Sequence, residues 1–149
     1  MPLYFAYGSN MNAEAMARRC PRSKAAELAR LARHRLVVMR EGWLTVVRDS
    51  RASAHGVLWD LALSDVRTLD RYEGPLYAKI VQPVLAESGP KRALVYVGAN
   101  AGPGTPRPDY LAEILTAARA WPLPAEAIAA IERLGDARLG RQSTITDKY

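Results

Sequence analysis

The first twenty residues constrain the chain most. Leu3-Tyr4-Phe5-Ala6 is an apolar, aromatic run that reads as a short buried strand. It halts at Tyr7-Gly8-Ser9-Asn10, which reads as a tight turn, and Asn12 to Arg19 then reads as a short helix. A strand feeding a glycine turn and a helix start aims several backbone N–H groups at one point. Such a turn can receive an anionic group, for instance a carboxylate.

Further along, β-type runs dominate the middle of the chain. Ala25 to Arg33 leans towards helix by propensity, yet Ala26, Leu28, Leu36 and Val38 also fit alternation around a turn near His34. Glu41-Gly42 is a break. Trp43 to Val47 and Ala54 to Leu61 read as strands, with the polar stretch Arg48 to Ser53 as the turn of a hairpin between them. Ser64 is placed to cap a short helix that Gly74-Pro75 stops. Glu73 would then sit at a helix C-terminus, where the dipole disfavours its charge and raises its pKa. Tyr77 to Leu85 reads as a bent or edge strand because Pro83 lacks a donor. It turns at Glu87 to Pro90 and pairs with Lys91 to Val97. After a Gly- and Pro-rich loop, Pro108 opens an amphipathic helix, Trp121 to Pro124 breaks it, and 125–134 forms a second one ending at Gly135.

This order predicts an α+β fold with a largely antiparallel or mixed sheet that curls into a barrel. A length of 149 residues fits one domain over 1–139, followed by a polar C-terminal tail, 140–149. No apolar run approaches the roughly 20 residues that cross a bilayer. The start of the chain lacks a basic segment before an apolar one, so no signal peptide and no membrane partner are expected. Cys20 is the only cysteine, so no internal disulfide is possible; that fits a cytoplasmic protein. Beside Pro21 it reads as buried and structural rather than nucleophilic. The net charge of +6 is scattered among acids rather than arranged as a basic stripe with aromatics, so no nucleic-acid partner is expected.

The motifs of common chemistries are missing. His34 and His55 have no ligand-like spacing, so no metal is expected. There is no nucleophile elbow around Ser9, no phosphate loop and no dinucleotide fingerprint. Two features remain: the Tyr7-Gly8-Ser9-Asn10 turn and the isolated Glu73.

Phe5-Ala6-Tyr7-Gly8-Ser9-Asn10-Met11 resembles the glycine-turn motif of the gamma-glutamylcyclotransferase family. Gly56-Val57-Leu58-Trp59 resembles its central strand, and Leu69-Asp70-Arg71-Tyr72-Glu73-Gly74, with Tyr77 after it, resembles its catalytic segment. Tyr96-Val97 and Pro108-Asp109-Tyr110 resemble the end of the family domain, so the likeness runs over roughly residues 3–134.

The resemblance implies a small mixed β-barrel with flanking helices and a cavity, and a pair of strands over 25–39. Tyr7, Gly8, Ser9 and Asn10 would hold a gamma-glutamyl moiety, and Glu73 would be the general acid/base. The reaction would close the glutamyl group on itself, releasing 5-oxoproline and an amine or amino acid, with no cofactor. The expected partner is a small gamma-glutamyl substrate, and the expected assembly is a monomer or homodimer. The best-known members carry an aromatic residue after the Asn in the loop following the last strand. Here Ala101 follows Asn100, which leaves the leaving group open. Trp43, Tyr77 and Tyr96 are candidates either for cavity walls or for plain core. The competing readings are a cyclotransferase acting on a gamma-glutamylamine or a gamma-glutamylated specialised metabolite, and a binding module for a small acidic metabolite without turnover.

Overall fold

The computed structural model describes residues 2–136; the expected tail over 140–149 lies outside the described residues. Strand β1 (Leu3–Ala6) leads through Tyr7 and Gly8 into a 3-10 turn (Ser9–Met11) and helix α1 (Ala13–Arg19). Strands β2 (Lys24–Val38) and β3 (Leu44–Asp60) follow, then helix α2 (Leu63–Glu73). After these come β4 (Tyr77–Ala86), β5 (Gly89–Gly98), α3 (Pro108–Arg119) and α4 (Ala125–Leu134). The strands close a barrel in the order β1-β3-β2-β4-β5. All pairs are antiparallel except β1 with β5, which meet at the single pair Tyr4↔Leu94. The fold is therefore α+β with a mixed barrel, as the sequence and the resemblance imply.

Phe5, Leu31, Leu44, Leu58 and Val57 fill the sheet side of the core, and Met11, Met16, Leu69, Ile114 and Ile131 bring the turn and helices onto it. Helix α3 is seated by Trp121, just past its end. The indole stands edge-on to Trp59 at 6.4 Å and donates to the Met11 carbonyl at 2.7 Å, tying α3 to the turn.

Of residues 25–39, all up to Val38 lie in one strand, not a helix and not a pair of strands, and Met39 begins the turn after it. Leu31 and Ala29 are buried in the barrel wall, and that burial overrides the helical propensity of the alanines and arginines. The predicted hairpin also lies elsewhere. β2 and β3 pair along nearly their whole length, from Lys24↔Asp60 to Val38↔Leu44, so the hairpin turn is Met39 to Trp43, with Gly42 at φ 94°. The turn chemistry of Arg48 to Ser53 makes a bulge instead. Between Ala32↔Ser53 and His34↔Arg48, Arg33 alone faces residues 49–52, and Arg33 takes φ 60°. Within the bulge Asp49 accepts from the Arg51 N–H at 3.0 Å. Buried Leu31 and Ala54 on one side, and buried Val46 on the other, hold the ribbon together across it.

A smaller expectation also needs correction. Ser64 does not cap α2, whose N-cap is Ala62 with no side-chain bond. Ser23 serves that end instead, accepting from the Ala62 N–H at 3.0 Å while donating to buried Asp65 at 2.9 Å. Pro83, by contrast, sits where expected, on a free edge of β4 that pairs with β5 but not with β2, so its missing donor disturbs no ladder.

Candidate active site

The site lies where β1 leaves the barrel and α2 ends. Gly74 takes φ 73° and closes α2 with an N–H bond to the Asp70 carbonyl at 3.0 Å, which leaves Glu73 on the last turn. Asp70, three residues earlier, fastens the helix. It accepts from the Tyr96 hydroxyl at 2.6 Å and from Lys79 Nζ at 3.0 Å. From the other side, Asn10 is 2% exposed and donates from Nδ2 to the Tyr4 hydroxyl at 3.0 Å. Tyr4 in turn donates to Glu73 Oε1 at 3.4 Å. Arg19 Nη1 donates to Asn10 Oδ1, and its guanidinium lies 3.5 Å above the Tyr72 ring. The Tyr72 hydroxyl and Ser9 Oγ are 2.9 Å apart. The turn and the end of α2 are thus joined by side chains, although 63 or more residues separate them in sequence.

Two adjoining chambers share Ser9, Glu73, Tyr77 and Tyr110. The inner one, about 30 Å³, is lined by the whole Tyr7–Asn10 turn with Tyr4, Tyr96 and Glu73. The outer one, about 230 Å³, is walled by Trp43, Tyr72, Leu76, Tyr77 and Tyr110. A Cβ on Gly8 would sit 3.6 Å from the Tyr110 hydroxyl, an ordinary contact distance, but it would take up room in the inner chamber. The first N–H groups of a helical turn have no partner within it. Among the described residues, those of Ser9 and Asn10 have no backbone or side-chain acceptor outside it.

Burial pushes the Glu73 carboxyl up to about 7, against the lowering pull of the Tyr4 hydrogen bond and the Arg19 charge. The rise is as expected, but its main cause is desolvation rather than the helix dipole. Burial above all keeps the phenols of Tyr4, Tyr7, Tyr77, Tyr96 and Tyr110 protonated. The result is a nearly neutral, hydroxyl-lined cleft around one carboxyl that exchanges its proton near neutrality. No group of three or more His, Cys, Asp or Glu side chains converges among the described residues.

The carboxyl leaves a mark on stability. Glu73 binds its proton more tightly in the folded chain than at the ordinary carboxyl value of 4.5. Between about 4.5 and about 7 the native state therefore holds more protons than the unfolded one, and stability falls as pH rises through that window. Thermal melts of the wild type and of Glu73→Gln are expected to diverge across this range, with only the wild type losing this increment. Parallel curves would mean that the carboxyl is not buried as described.

The family profile described as "Gamma-glutamyl cyclotransferase, AIG2-like" matches residues 4–116. The chain belongs to this family. A solved structure named gamma-glutamyl cyclotransferase superposes with a TM-score of 0.80 at 26% identity, covering 88% of this chain and 86% of that one. An uncharacterized protein from Homo sapiens gives 0.80 at 27% identity, with 87% and 85% covered. YkqA from Bacillus subtilis shares the fold, with a TM-score of 0.76 at 22% identity, over 91% of this chain and 54% of that one. Comparison with curated proteins gave no match.

Within this gamma-glutamyl cyclotransferase fold, Tyr7, Gly8, Ser9, Asn10 and Glu73 all come together at one cleft. Trp43, Tyr77 and Tyr96 line its walls. Neither Asn100 nor Ala101 lines either chamber. Asn100 instead braces the hairpin turn, accepting from the Arg40 N–H at 3.0 Å and donating to Glu41 at 2.9 Å. The sequence reading passed over Tyr4, Arg19, Tyr72 and Tyr110. A signal was there: the chain has seven tyrosines and one phenylalanine. Every tyrosine among the described residues lines one of the two chambers. Cys20 is buried, and burial pushes its thiol up to about 11, which suits a structural residue.

Proposed function

We propose that the protein is a gamma-glutamylcyclotransferase in which Glu73 is the general acid/base. The observation that carries this reading is a carboxyl with a pKa near 7 facing the Tyr7–Asn10 turn across one cleft. In the proposed reaction the substrate's alpha-amino nitrogen attacks its own gamma-carbonyl carbon. A five-membered ring closes, the gamma-amide C–N bond breaks, and 5-oxoproline leaves with the freed amine or amino acid. The attacking amine gives a proton to Glu73, and Glu73 passes it to the departing nitrogen, so no water is consumed and no net proton changes hands. A group titrating near neutrality suits both halves of that exchange. The substrate's alpha-carboxylate would take the N–H groups at the turn, with the phenols around it as neutral donors. Because nucleophile and electrophile belong to one molecule, the cleft's main task would be to hold the glutamyl chain curled. The amine portion would occupy the outer chamber between Trp43, Tyr72 and Tyr110.

Incubation with a panel of gamma-glutamyl dipeptides and gamma-glutamylamines, followed by chromatography for 5-oxoproline, tests the reading. Turnover of at least one member is expected. Tight binding of a panel member without release of 5-oxoproline would favour the alternative of a binding module.

A further inference from the structure

We propose that Arg19 is a positioning residue that fixes the direction of a hydrogen-bond relay ending on Glu73. The relay delivers the Tyr4 hydroxyl proton onto Oε1 and leaves Oε2 as the oxygen that exchanges a proton with substrate. The last clause rests on the cyclotransferase reading; the relay itself does not.

The argument is one of donors and acceptors. A guanidinium only donates, so the Asn10 atom that meets Arg19 Nη1 must be the amide oxygen. The amide cannot flip without setting donor against donor. Its Nδ2 therefore faces the Tyr4 oxygen, at 3.0 Å, and donates to it. The Tyr4 oxygen is thereby an acceptor from that side, and its own proton must go elsewhere. Tyr4 is only 3% exposed, and a buried hydroxyl needs an acceptor. Glu73 Oε1, at 3.4 Å, is its acceptor. Such bonds are commonly long in a free site and tighten in the occupied one.

Arg19 holds a second strand of the site as well. It stacks on Tyr72, whose hydroxyl meets Ser9 Oγ in the turn. Arg19 is half-buried, while Arg18 beside it is exposed. The groups facing Glu73 are Tyr4 from β1, Tyr7 from the turn after it, Tyr77 from β4, Tyr96 from β5, Tyr110 from α3 and Arg19 from α1. All five phenols stay neutral around pH 7, so Arg19 is the charged group among them.

The test follows the Glu73 carboxyl directly. Protein labelled with ¹³C at glutamate carboxyls is titrated by NMR, and the Glu73 resonance is identified by its loss in Glu73→Gln. Arg19→Met and Tyr4→Phe are each expected to move the midpoint upward, since each removes an influence that favours the ionised form. In the double variant the shift should be smaller than the sum of the two, because the relay is already cut. Arg19→Lys keeps a donor and a charge and should titrate close to wild type. Shifts that simply add would show that Arg19 acts by charge alone, and an unmoved midpoint in Tyr4→Phe would remove the relay's last link; either overturns the proposal. If Arg19→Met does not fold, Arg19→Ala supplies the comparison. On any substrate found by the panel, the acid limb of the kcat/KM profile should follow the same order. Absence of all turnover would count against the cyclotransferase reading, while the carboxyl titration would still decide the relay.

Discussion

Glu73→Gln is expected to remove 5-oxoproline formation almost completely, lowering kcat by at least about 100-fold, the usual scale for losing a positioned acid/base. Glutamine keeps the shape of the side chain and keeps an oxygen for the Tyr4 hydroxyl, so the cleft should remain intact. What is lost is the ability to take a proton from one nitrogen and return it to another. Stability should move the other way. Above about pH 7 the wild type holds an ionised carboxylate where burial opposes the charge, and the amide relieves that cost. A variant that is inactive yet melts no lower than wild type at pH 8 is the expected pair of results. Full activity in Glu73→Gln would show that another group moves the proton.

A large effect on folding is expected from Gly56→Ala, at a residue that itself lines neither chamber. A Cβ at Gly56 would lie 2.2 Å from the Ala6 carbonyl oxygen and 2.9 Å from the Phe5 ring. The first neighbour is backbone and cannot rotate away. Either β1 or β3 must retreat, at a cost of roughly 2–3 kcal/mol, which for a domain of this size lowers Tm by roughly 5–10 °C. Because Ala6 is the last residue of β1 before the Tyr7–Asn10 turn, the retreat would also displace the turn from Glu73. Calorimetry of Gly56→Ala checks the first part. A measurable loss of kcat/KM well below the melting range checks the second. An unchanged Tm would mean that the strands do not approach as closely as described.

Much of this was legible in the chain, and what was not has identifiable causes. The turn after β1, the Gly74 stop of α2, Pro108 at the start of α3 and Gly135 at the end of α4 are local signals, and they sit where the residues say. The β2–β3 ribbon is not local. Arg48 to Ser53 has the composition of a hairpin turn, and only pairing with β2 shows that the strand continues through it as a bulge. Ala25 to Arg33 has helical propensity that burial in a barrel wall overrides. In the site, Glu73 and the turn stand out because each interrupts a pattern. Arg19 looks like the end of an ordinary exposed helix face, and nothing in its neighbours in sequence shows that it reaches Asn10. Tyr4, Tyr72 and Tyr110 were hidden differently: each fits a strand or a helix, and only their convergence marks them as walls.

Strands β1 and β5 meet at a single residue pair, and beyond it the Tyr7 hydroxyl reaches across to the Tyr96 carbonyl at 2.5 Å. A phenol ring has replaced the next rungs of the ladder. Strands joined rung by rung stand about 4.8 Å apart and leave no space between them. The Tyr7 hydroxyl spans the seam where the pairing stops, and Tyr7 and Tyr96 both line the inner chamber there. That side of the inner chamber is therefore closed by one side-chain bond rather than by paired backbone. Loss of the hydroxyl, as in Tyr7→Phe, would cut that bond while leaving every strand register untouched.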